Sequence, residues 1–350
     1  MQTYYCKNCG AVLYWDAKHD CLKCQFCDEE YQITDFEDKS NTDQEVKSEA
    51  LDKDYVSADT TEDMSVYECK TCGGEVVAMN TTMATVCPYC GEAISITSKT
   101  VGDFRPEIVI PFKNEKKEII EVYKAYVNKS FLTPKEFKDD NLIEKIQGLF
   151  TPFYLHTVCD TAQHKFKGEK VSSQKSGYDK VNTHKVYDLS ITADAKFDKV
   201  PTDASKKIEN ELMDALEPFD YKELKDYNPA YMAGFIAEQK DEDPDAMSKR
   251  ALDRCKSAMD DEARKAFSGY SSFTKQSERH NVTSHETKYA MLPVWILNVK
   301  HGGQNYKFAI NGQTGKVVGK LPIDKGKLFG ICAACFGIAE LVVTTIMMLG

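Results

Sequence analysis

One cysteine pattern, C-x2-C-x14-C-x2-C, occurs twice in the N-terminal part of this chain. The first copy comprises Cys6, Cys9, Cys24 and Cys27, and the second comprises Cys69, Cys72, Cys87 and Cys90. Four thiolates at this spacing close a tetrahedral shell around Zn²⁺, with each C-x2-C pair in one knuckle and the residues between the pairs in a hairpin. The sequence therefore predicts two zinc ribbons, each with one structural Zn²⁺. A rubredoxin-like iron site is the alternative.

Each predicted ribbon is only about thirty residues long, which is too short to fold on an apolar core alone. The metal is therefore expected to supply folding free energy. Because all four ligands are thiolates, no coordination position remains for water, and we interpret both sites as structural rather than hydrolytic. Gly10, Gly73 and Gly91 each follow a knuckle, where a positive φ turns backbone N–H groups toward sulfur. Asp28 takes that position in the remaining knuckle.

The other cysteines do not extend this pattern. Cys21 aligns with Ala84 of the second copy, and we expect it to be a spare, exposed thiol. Cys159 and Cys255 are expected to pack as small hydrophobic residues. The pair Cys332 and Cys335 lies in an apolar run without a partner pair. Since Met1 leads into the first knuckle without a signal-peptide pattern, we expect a reducing compartment and metal rather than disulfides.

Composition and charge divide the chain into five segments. We predict the first ribbon at 1–34, an acidic flexible linker at 35–64, the second ribbon at 65–98, an α+β domain at 99–323 and a transmembrane helix at 328–349. The acidic stretch carries eleven of the chain's Asp and Glu residues against three Lys, within a net charge of −10. The rest of the chain is therefore nearly neutral, which disfavours nucleic acid as a partner.

Residue periodicity in the large domain indicates helices and antiparallel strands. Apolar residues recur at helical spacing over 114–130, where Asn114 is available as N-cap. Strand-like patterns follow from 149 to 192, and helical patterns return at 203–219 and 245–267. Three strands separated by HGG and NGQTG then predict a three-stranded meander at 289–323. The predicted class is α+β.

The C-terminal run from Leu328 to Leu349 is apolar and long enough for a membrane helix. Its twenty-two residues span about 33 Å as a helix, against a hydrocarbon core of about 30 Å. Lys320, Lys325 and Lys327 flank its N-terminal side, which indicates that the soluble part is cytoplasmic and the chain is single-pass. A buried core helix is the alternative.

A stripe of small residues in this run predicts a face for helix contact in the membrane. It comprises Gly330, Ala334 and Gly337, at the spacing that allows close helix approach. Glu340 lies at the edge of the stripe. A carboxylate at that depth is costly, so we expect it to be protonated or paired, or to be a tolerated neutral residue.

The search for catalytic residues finds no established motif. The histidines of the strand-like segments have no metal-ligand spacing; they are His156, His164, His184, His280 and His285. Five acidic residues could suggest paired catalytic carboxylates, but most of them are interpreted as loop or helix-cap residues; they are Asp194, Asp198, Asp203, Glu217 and Asp220. No nucleophile elbow, phosphate-binding loop or dinucleotide fingerprint occurs. The sequence gives no reason to expect an enzyme.

Several segments resemble a bacterial family described as TFIIB-type zinc-ribbon-containing proteins, sometimes as PriA-like helicases. The resemblance lies in VYECKTCGGEVVAMNTTMATVCPYCG, FRPEIVIPF, VPTDASKKIENELMDALEPFDYKEL, YMAGFIAEQ, LPVWILNV and FAINGQTGKVVGKLPI. It implies a membrane-anchored protein with cytoplasmic ribbons, and partners of the phage-shock or flotillin-like (SPFH) membrane-stress types. The helicase description does not fit this chain, because ATP-driven translocation needs a phosphate-binding loop.

These observations favour a membrane-tethered adaptor that recruits protein partners, with the first ribbon mobile on its tether and the second docked on the domain. One alternative is nucleic-acid binding by the ribbons. Its basic candidates are Lys7, Lys18, Lys23 and Lys70, opposed by Asp28, Glu29 and Glu30. The other alternative is an enzyme or ligand site in the α+β domain near Trp295, Tyr231 and His156.

Overall fold

The computed structural model describes residues 4–36, 64–69, 73–79, 87–88, 95–96, 106–176 and 179–349. It confirms the α+β class, with antiparallel sheets, packed helices and a C-terminal apolar helix. The strands are β1 (Leu13–Asp16), β2 (Cys21–Cys24), β3 (Glu30–Tyr31), β4 (Met64–Glu68), β5 (Glu75–Met79), β6 (Ser95–Ile96), β7 (Ile108–Val109), β8 (Gln147–Ser176), β9 (Asp179–Asp203), β10 (Lys225–Asp226), β11 (Ile236–Glu238), β12 (Ser272–His301), β13 (Gln304–Asn311) and β14 (Val317–Gly319). The helices are α1 (Lys116–Asn128), α2 (Asp140–Ile143), α3 (Asn210–Ala215), α4 (Pro244–Ala266) and α5 (Lys325–Leu349).

The large sheet is built around β8 and β12, two thirty-residue strands that pair antiparallel. At its wide end, β8 also pairs with β11, and β12 also pairs with β7 and β13. From Phe153 onward, β9 pairs with the edge of β8 that faces away from β12. The three strands form an arm in the order β9, β8, β12. Helix α4 packs on one face of this arm through side chains spaced four residues apart: Met247, Ala251, Cys255, Met259 and Ala263.

Most of the predicted elements are present. The meander is confirmed as β12, β13 and β14, paired antiparallel in chain order. The predicted helix at 245–267 is α4, whereas the one at 203–219 forms only the short α3. The strand-like region at 149–192 is one hairpin, β8 and β9, that extends beyond both predicted ends.

The N-cap of helix α1 lies one residue after Asn114, the residue predicted from the sequence. Glu115 is the N-cap, and it forms a capping box with Glu118 in which each side chain accepts from the other residue's backbone N–H. The amide of Asn114 instead donates to the carbonyl oxygens of Gly312 and Gln313, at 3.3 and 3.2 Å. The Asn114 side chain therefore ties the start of α1 to the turn of the meander.

An aromatic cluster fills the core between the sheet and its loops. Phe112 stacks on Phe235 with ring centroids 4.1 Å apart, and Phe150 and Trp295 contact Phe112 edge-on. Gly148 lies against the two stacked rings, because a Cβ there would approach Phe235 Cδ1 to 2.6 Å. The close approach of β8 to these rings requires a residue without a side chain.

The first ribbon packs against the α+β domain, contrary to the expectation of a mobile ribbon. The Trp15 ring lies edge-on to Tyr231, 4.8 Å between centroids, and the backbone N–H of Trp15 donates to the Ala233 carbonyl at 3.1 Å. Lys225 places its ammonium near both rings and contacts the Asp20 carboxylate. The predicted linker falls largely on 37–63, which lie outside the described residues. The docking therefore rests on the contacts that the ribbon makes with the domain.

The second ribbon is joined to the large sheet by backbone pairing. Strand β5 pairs antiparallel with β11, and β4 continues the sheet beyond β5. Because β11 also pairs with β8, the second ribbon extends the sheet of the domain. This agrees with the expectation that the second ribbon is docked.

We predict that Gly148→Ala destabilises the protein by about 1–3 kcal/mol, because the added methyl group displaces the stacked Phe112 and Phe235 rings. Gly269→Ala is the matched control, since a Cβ there meets nothing within 4 Å, and it should change stability by less than about 0.5 kcal/mol. Urea unfolding of the full chain in detergent micelles measures both. Equal midpoints for the two variants would contradict the tight packing at Gly148.

Candidate functional site

The first ribbon forms two cysteine knuckles with the same backbone geometry. Gly10 N–H donates to the Cys6 carbonyl at 2.8 Å, and Asp28 N–H donates to the Cys24 carbonyl at 3.1 Å. Both donors have positive φ, 72° at Gly10 and 57° at Asp28. Aspartate tolerates this left-handed conformation better than most side chains do. The unusual residue of the pattern is therefore accommodated without loss of the knuckle.

The four sulfur atoms of the first ribbon converge. Cys6 Sγ lies 3.4 Å from Cys27 Sγ, and Cys9 Sγ lies 3.5 Å from Cys24 Sγ. All four sulfurs lie within 4.8 Å of one another. Four thiolates around a tetrahedral ion with metal–sulfur bonds of about 2.3 Å are separated by about 3.8 Å, so this donor set fits such an ion. The group can hold a metal ion.

Surrounding groups orient two of these sulfurs. The Phe26 N–H donates to Cys24 Sγ at 3.5 Å, and the Tyr31 hydroxyl lies 3.3 Å from Cys6 Sγ. Tyr31 also packs edge-on against Phe36 of a 3₁₀ turn, Ile33–Phe36, that closes the ribbon. The polar contacts to sulfur and the ring contacts together hold the ligands in place.

The described part of the second ribbon repeats this knuckle. Cys69 N–H donates to the Gly74 carbonyl and Gly73 N–H donates to the Cys69 carbonyl, both at 2.8 Å, with φ of 68° at Gly73. Cys69 and Cys87 are buried. The remaining predicted ligands, Cys72 and Cys90, and Gly91 lie outside the described residues. The backbone match to Cys6 and Gly10 agrees with a second ribbon.

Cys21 is buried, with 1% of its surface exposed, rather than the exposed thiol expected from the sequence. It lies on β2 opposite Asp16, where the three-stranded sheet of the ribbon covers it. Burial raises the pKa of the Cys21 thiol, and the charge of Glu30 acts in the same direction. Cys21 is therefore a packing residue of the ribbon and lies outside the four-sulfur group.

The three residues of the hypothesised ligand site in the domain, Trp295, Tyr231 and His156, pack in different surroundings. Trp295 belongs to the Phe112 cluster, and Tyr231 holds Trp15 of the ribbon. His156 is buried between strands, with Nε2 2.8 Å from Thr202 Oγ1 and Nδ1 2.9 Å from Thr287 Oγ1. Burial and the neighbouring His285 lower the pKa of His156 to about 4, so its ring is neutral at physiological pH. These contacts explain the three residues structurally.

The five acidic residues singled out by sequence have mixed roles. Asp220 caps a 3₁₀ turn by accepting from Lys222 N–H, and Glu217, in a loop, pairs with Arg254 at 2.9 Å. Asp194 and Asp198 lie on β9 rather than in loops, where they accept from Thr161 and Thr157 of β8. The loop-or-cap interpretation is therefore wrong for Asp194, Asp198 and Asp203, because β9 extends through all three positions.

Asp203 and Glu238 form a buried carboxyl pair that sequence reasoning missed. Ser205 bridges them: its N–H donates to Asp203 Oδ1 at 3.2 Å, and its hydroxyl donates to Glu238 Oε1. Burial, and next the nearby Glu238, raise the pKa of Asp203 to about 8. No local motif could reveal the pair, since β9 and β11 bring it together from positions thirty-five residues apart.

The basic residues of the first ribbon are engaged with neighbouring groups. Lys18 lies 3.1 Å from a Glu118 carboxylate oxygen at the start of α1, and Lys23 lies 3.5 Å from Glu30. Lys7 donates to the Asp35 carbonyl at 2.6 Å. Lys70 is outside the described residues. Lys7, Lys18 and Lys23 thus face acids or a carbonyl within the fold.

Helix α5 is long and apolar enough to cross a membrane, and the rest of the described chain covers none of its apolar window. Asp324 caps it by accepting from the N–H groups of Gly326 and Lys327, at 2.9 and 3.1 Å. The Lys327 ammonium donates to the Thr133 carbonyl at 2.7 Å, and Asp324 N–H donates to the Leu132 carbonyl. The start of the helix is thereby fixed to the domain.

The predicted contact stripe lies along α5. Gly330, Ala334, Gly337 and Glu340 are all exposed, and a Cβ added at either glycine would meet nothing within 4 Å. The hydroxyl of Thr344 donates to the Glu340 carbonyl at 2.8 Å, one turn further along. The stripe is thus an uncovered surface of the helix, and its role as a membrane contact face stays a prediction.

The chain is similar to a known protein along nearly its whole length. The chain is 31% identical over 328 residues to the uncharacterized protein YdjG of Bacillus subtilis (strain 168), which covers 93% of this chain and 92% of that protein. No protein-family model and no solved structure matches the chain. The similarity therefore extends over nearly the whole length of both proteins.

We predict that Cys9→Ser lowers the metal content of the purified full chain by about one ion, because a serine hydroxyl is a poor replacement for a thiolate in a four-sulfur site. Cys21→Ser is the matched control in the same ribbon and should leave the metal content unchanged. Inductively coupled plasma mass spectrometry of protein in detergent measures both. The same metal content in the Cys9 variant as in the unmodified chain would contradict the four-sulfur site.

We predict that Asp203→Asn reduces the pH dependence of stability. Because the pKa of Asp203 is raised in the fold, its contribution is complete below about pH 4 and is lost as pH rises through about 8. The unmodified chain should lose up to about 1.4 kcal/mol per pH unit from this group, and the variant should not. Urea unfolding at pH 5 and pH 8 measures the difference. Asp198→Asn, on the exposed side of the same strand, is the control, and a matching effect there would contradict the assignment.

Proposed function

The chain belongs to the same family as YdjG of Bacillus subtilis, and we propose that it is a membrane-anchored adaptor that recruits protein partners to the bacterial cell membrane. The observation that most supports this proposal is the uncovered apolar helix α5. Its start is capped by Asp324 and hydrogen-bonded to the domain that bears both ribbons. In this proposal the helix is single-pass, and the ribbons and the domain lie in the cytoplasm.

The exposed apolar surface of α5 supports the anchoring part of the proposal. Phe336, Leu341 and Met348 are among its largely exposed side chains, and burying such a surface in lipid is strongly favourable. Lys320, Lys325 and Lys327 flank the N-terminal end, the arrangement expected of a cytoplasmic flank. Phe131, 73% exposed, lies beside Lys327 at the same end of the domain and can enter the interfacial region.

The chemistry of the ribbons supports structural zinc. A four-thiolate shell leaves no open position, favours Zn²⁺ over hard cations, and stays reduced in the cytoplasm. We assign one Zn²⁺ to each ribbon. When bound, the metal supplies folding free energy to the ribbon, and the chain's residues supply the surface that partners contact.

The partner surface is assigned to the tip of the first ribbon. Phe26 lies between the ligands Cys24 and Cys27 and is 82% exposed, and Tyr5 near the other knuckle is also exposed. Exposed aromatic side chains on a rigid scaffold are typical protein-contact residues. Since the ribbon lysines face acids or a carbonyl, this tip offers apolar contact more than positive charge. Membrane proteins of the phage-shock or flotillin-like (SPFH) types are the partners to test first.

We predict that Phe26→Ala abolishes partner capture while the chain stays in the membrane, because it removes the exposed ring and leaves the four ligands intact. Crosslinking in membranes followed by pull-down of the full chain measures this. Val181→Ala, an exposed apolar residue on the distant arm, is the control and should retain every partner. A chain ending before Leu328 should move to the soluble fraction.

The outcomes separate the two parts of the proposal. Identical crosslinked proteins from the Phe26 variant and the unmodified chain would overturn docking at the ribbon tip. Retention of the truncated chain in the membrane would overturn anchoring by α5. Recovery of nucleic acid rather than protein, with binding that falls as salt rises, would replace the adaptor with a nucleic-acid-binding protein.

A further inference from the structure

A group of potential metal ligands outside the ribbons lies between α4 and the three-stranded arm. Its members come from three elements: His164 from β8, Asp260 from α4 and Glu278 from β12. The ligand atoms of these three residues all lie within 4.8 Å of one another. None of them was singled out by the sequence as part of a site, because their spacing follows no motif.

The register of the arm explains how the group forms. Glu278 pairs directly with His164, and His280 pairs with Ala162, so both side chains project from the same face of the arm toward α4. A bulge between Lys275 and Ser277 shifts the alternation by one residue. Lys275 therefore joins Glu278 and His280 on this face, although it is an odd number of residues away.

His164 is the residue that the fold leaves unexplained. Its side chain is fully buried, with 0% exposed, and within the described part of the chain neither ring nitrogen has a hydrogen-bond partner. Its Nδ1 points toward Asp260 Oδ1 across 3.7 Å, too far for a hydrogen bond. Buried polar groups are almost always satisfied, so a buried imidazole with Nδ1 directed at a carboxylate and no hydrogen bond at either nitrogen is arranged as a ligand for an ion.

His280 is oriented in the way that metal-binding histidines are. Its Nδ1 lies 2.6 Å from Asp160 Oδ2, which fixes the ring. Its Nε2 has no hydrogen-bond partner among the described residues and lies 4.0 Å from Glu278 Oε2. A carboxylate behind one nitrogen, with the other nitrogen directed at further ligands, is the common arrangement around metal-bound histidine.

The centre of the group holds a positive charge from the chain itself. The Lys275 ammonium lies 2.8 Å from Glu278 Oε2 and 3.4 Å from Asp260 Oδ1. Arg264 contacts the other oxygen of Asp260 at 3.0 Å. Lys275 thus marks the place that a cation would take, and its long flexible stem allows the ammonium to swing toward solvent.

We propose that His164, His280, Asp260 and Glu278 form a binding site for a divalent first-row metal ion, from which Lys275 is displaced when the ion enters. Imidazole and carboxylate ligands suit Mn²⁺, Fe²⁺ or Zn²⁺ and differ from the all-sulfur ribbons. Because the ligands come from α4, β8 and β12, a bound ion clamps α4 to the arm. The site is independent of the proposed adaptor function, since neither the ribbons nor α5 contribute to it.

Mn²⁺ is the probe that tests this site, because thiolates bind it weakly and its free form gives a six-line electron paramagnetic resonance signal. It is titrated into the full chain in detergent after the ribbons have been loaded with zinc. We expect one Mn²⁺ per chain. His164→Gln should weaken binding at least tenfold, and Lys275→Met should strengthen it by removing the competing ammonium.

Two further variants keep the test decisive. Glu278→Gln, whose side chain is 40% exposed, preserves the fold if the buried His164 variant does not, and it should also weaken binding at least tenfold. His19→Gln is the matched control, since Asp16, His19 and Glu30 form another group of histidine and carboxylates, and it should bind as the unmodified chain does. The proposal is overturned if no Mn²⁺ binds, if Glu278→Gln binds normally, or if His19→Gln alone loses the ion.

Discussion

The pairing of β8 with β12 is the interaction on which the rest of the structure depends. It runs from Gln147 opposite Ile296 to Glu169 opposite Ser272, and the second ribbon, the meander and the arm all attach to one of the two strands. The second ribbon reaches β8 through β11, and the meander grows from β12. The proposed metal site spans both strands in the arm. A register shift in this one pair would reverse the face of each side chain and remove the core and the site together.

Features determined within a short stretch of sequence could be predicted. The C-x2-C spacing predicted the knuckles at Cys6 and Cys24, the helical pattern at 245–267 predicted α4, and HGG and NGQTG predicted the meander, since each depends on neighbouring residues. The uncovered apolar helix α5 was equally readable, because length and composition decide whether a helix can span lipid.

Features that depend on contacts between residues distant in sequence could not be predicted. Trp15 looks like a hairpin residue until Tyr231, more than two hundred positions away, meets it and docks the first ribbon. The histidines of the arm follow no motif, because a bulge in β12 and the packing of α4 decide which side chains meet. Cys21 was misjudged for the same reason: its burial follows from a three-stranded sheet whose strands the cysteine pattern does not reveal.

Helix α1 relates the first ribbon to the proposed membrane anchor. Lys18 of the ribbon contacts Glu118 at the first turn of α1. Lys327 of α5 contacts the Thr133 carbonyl, which lies in the loop after the last turn of α1. Helix α1 itself has thirteen residues and is about 20 Å long. Because the ribbon contacts the first turn of α1 and α5 contacts the loop that follows α1, a partner on the ribbon tip of the proposed adaptor would be held near the bilayer by the fold rather than by a tether.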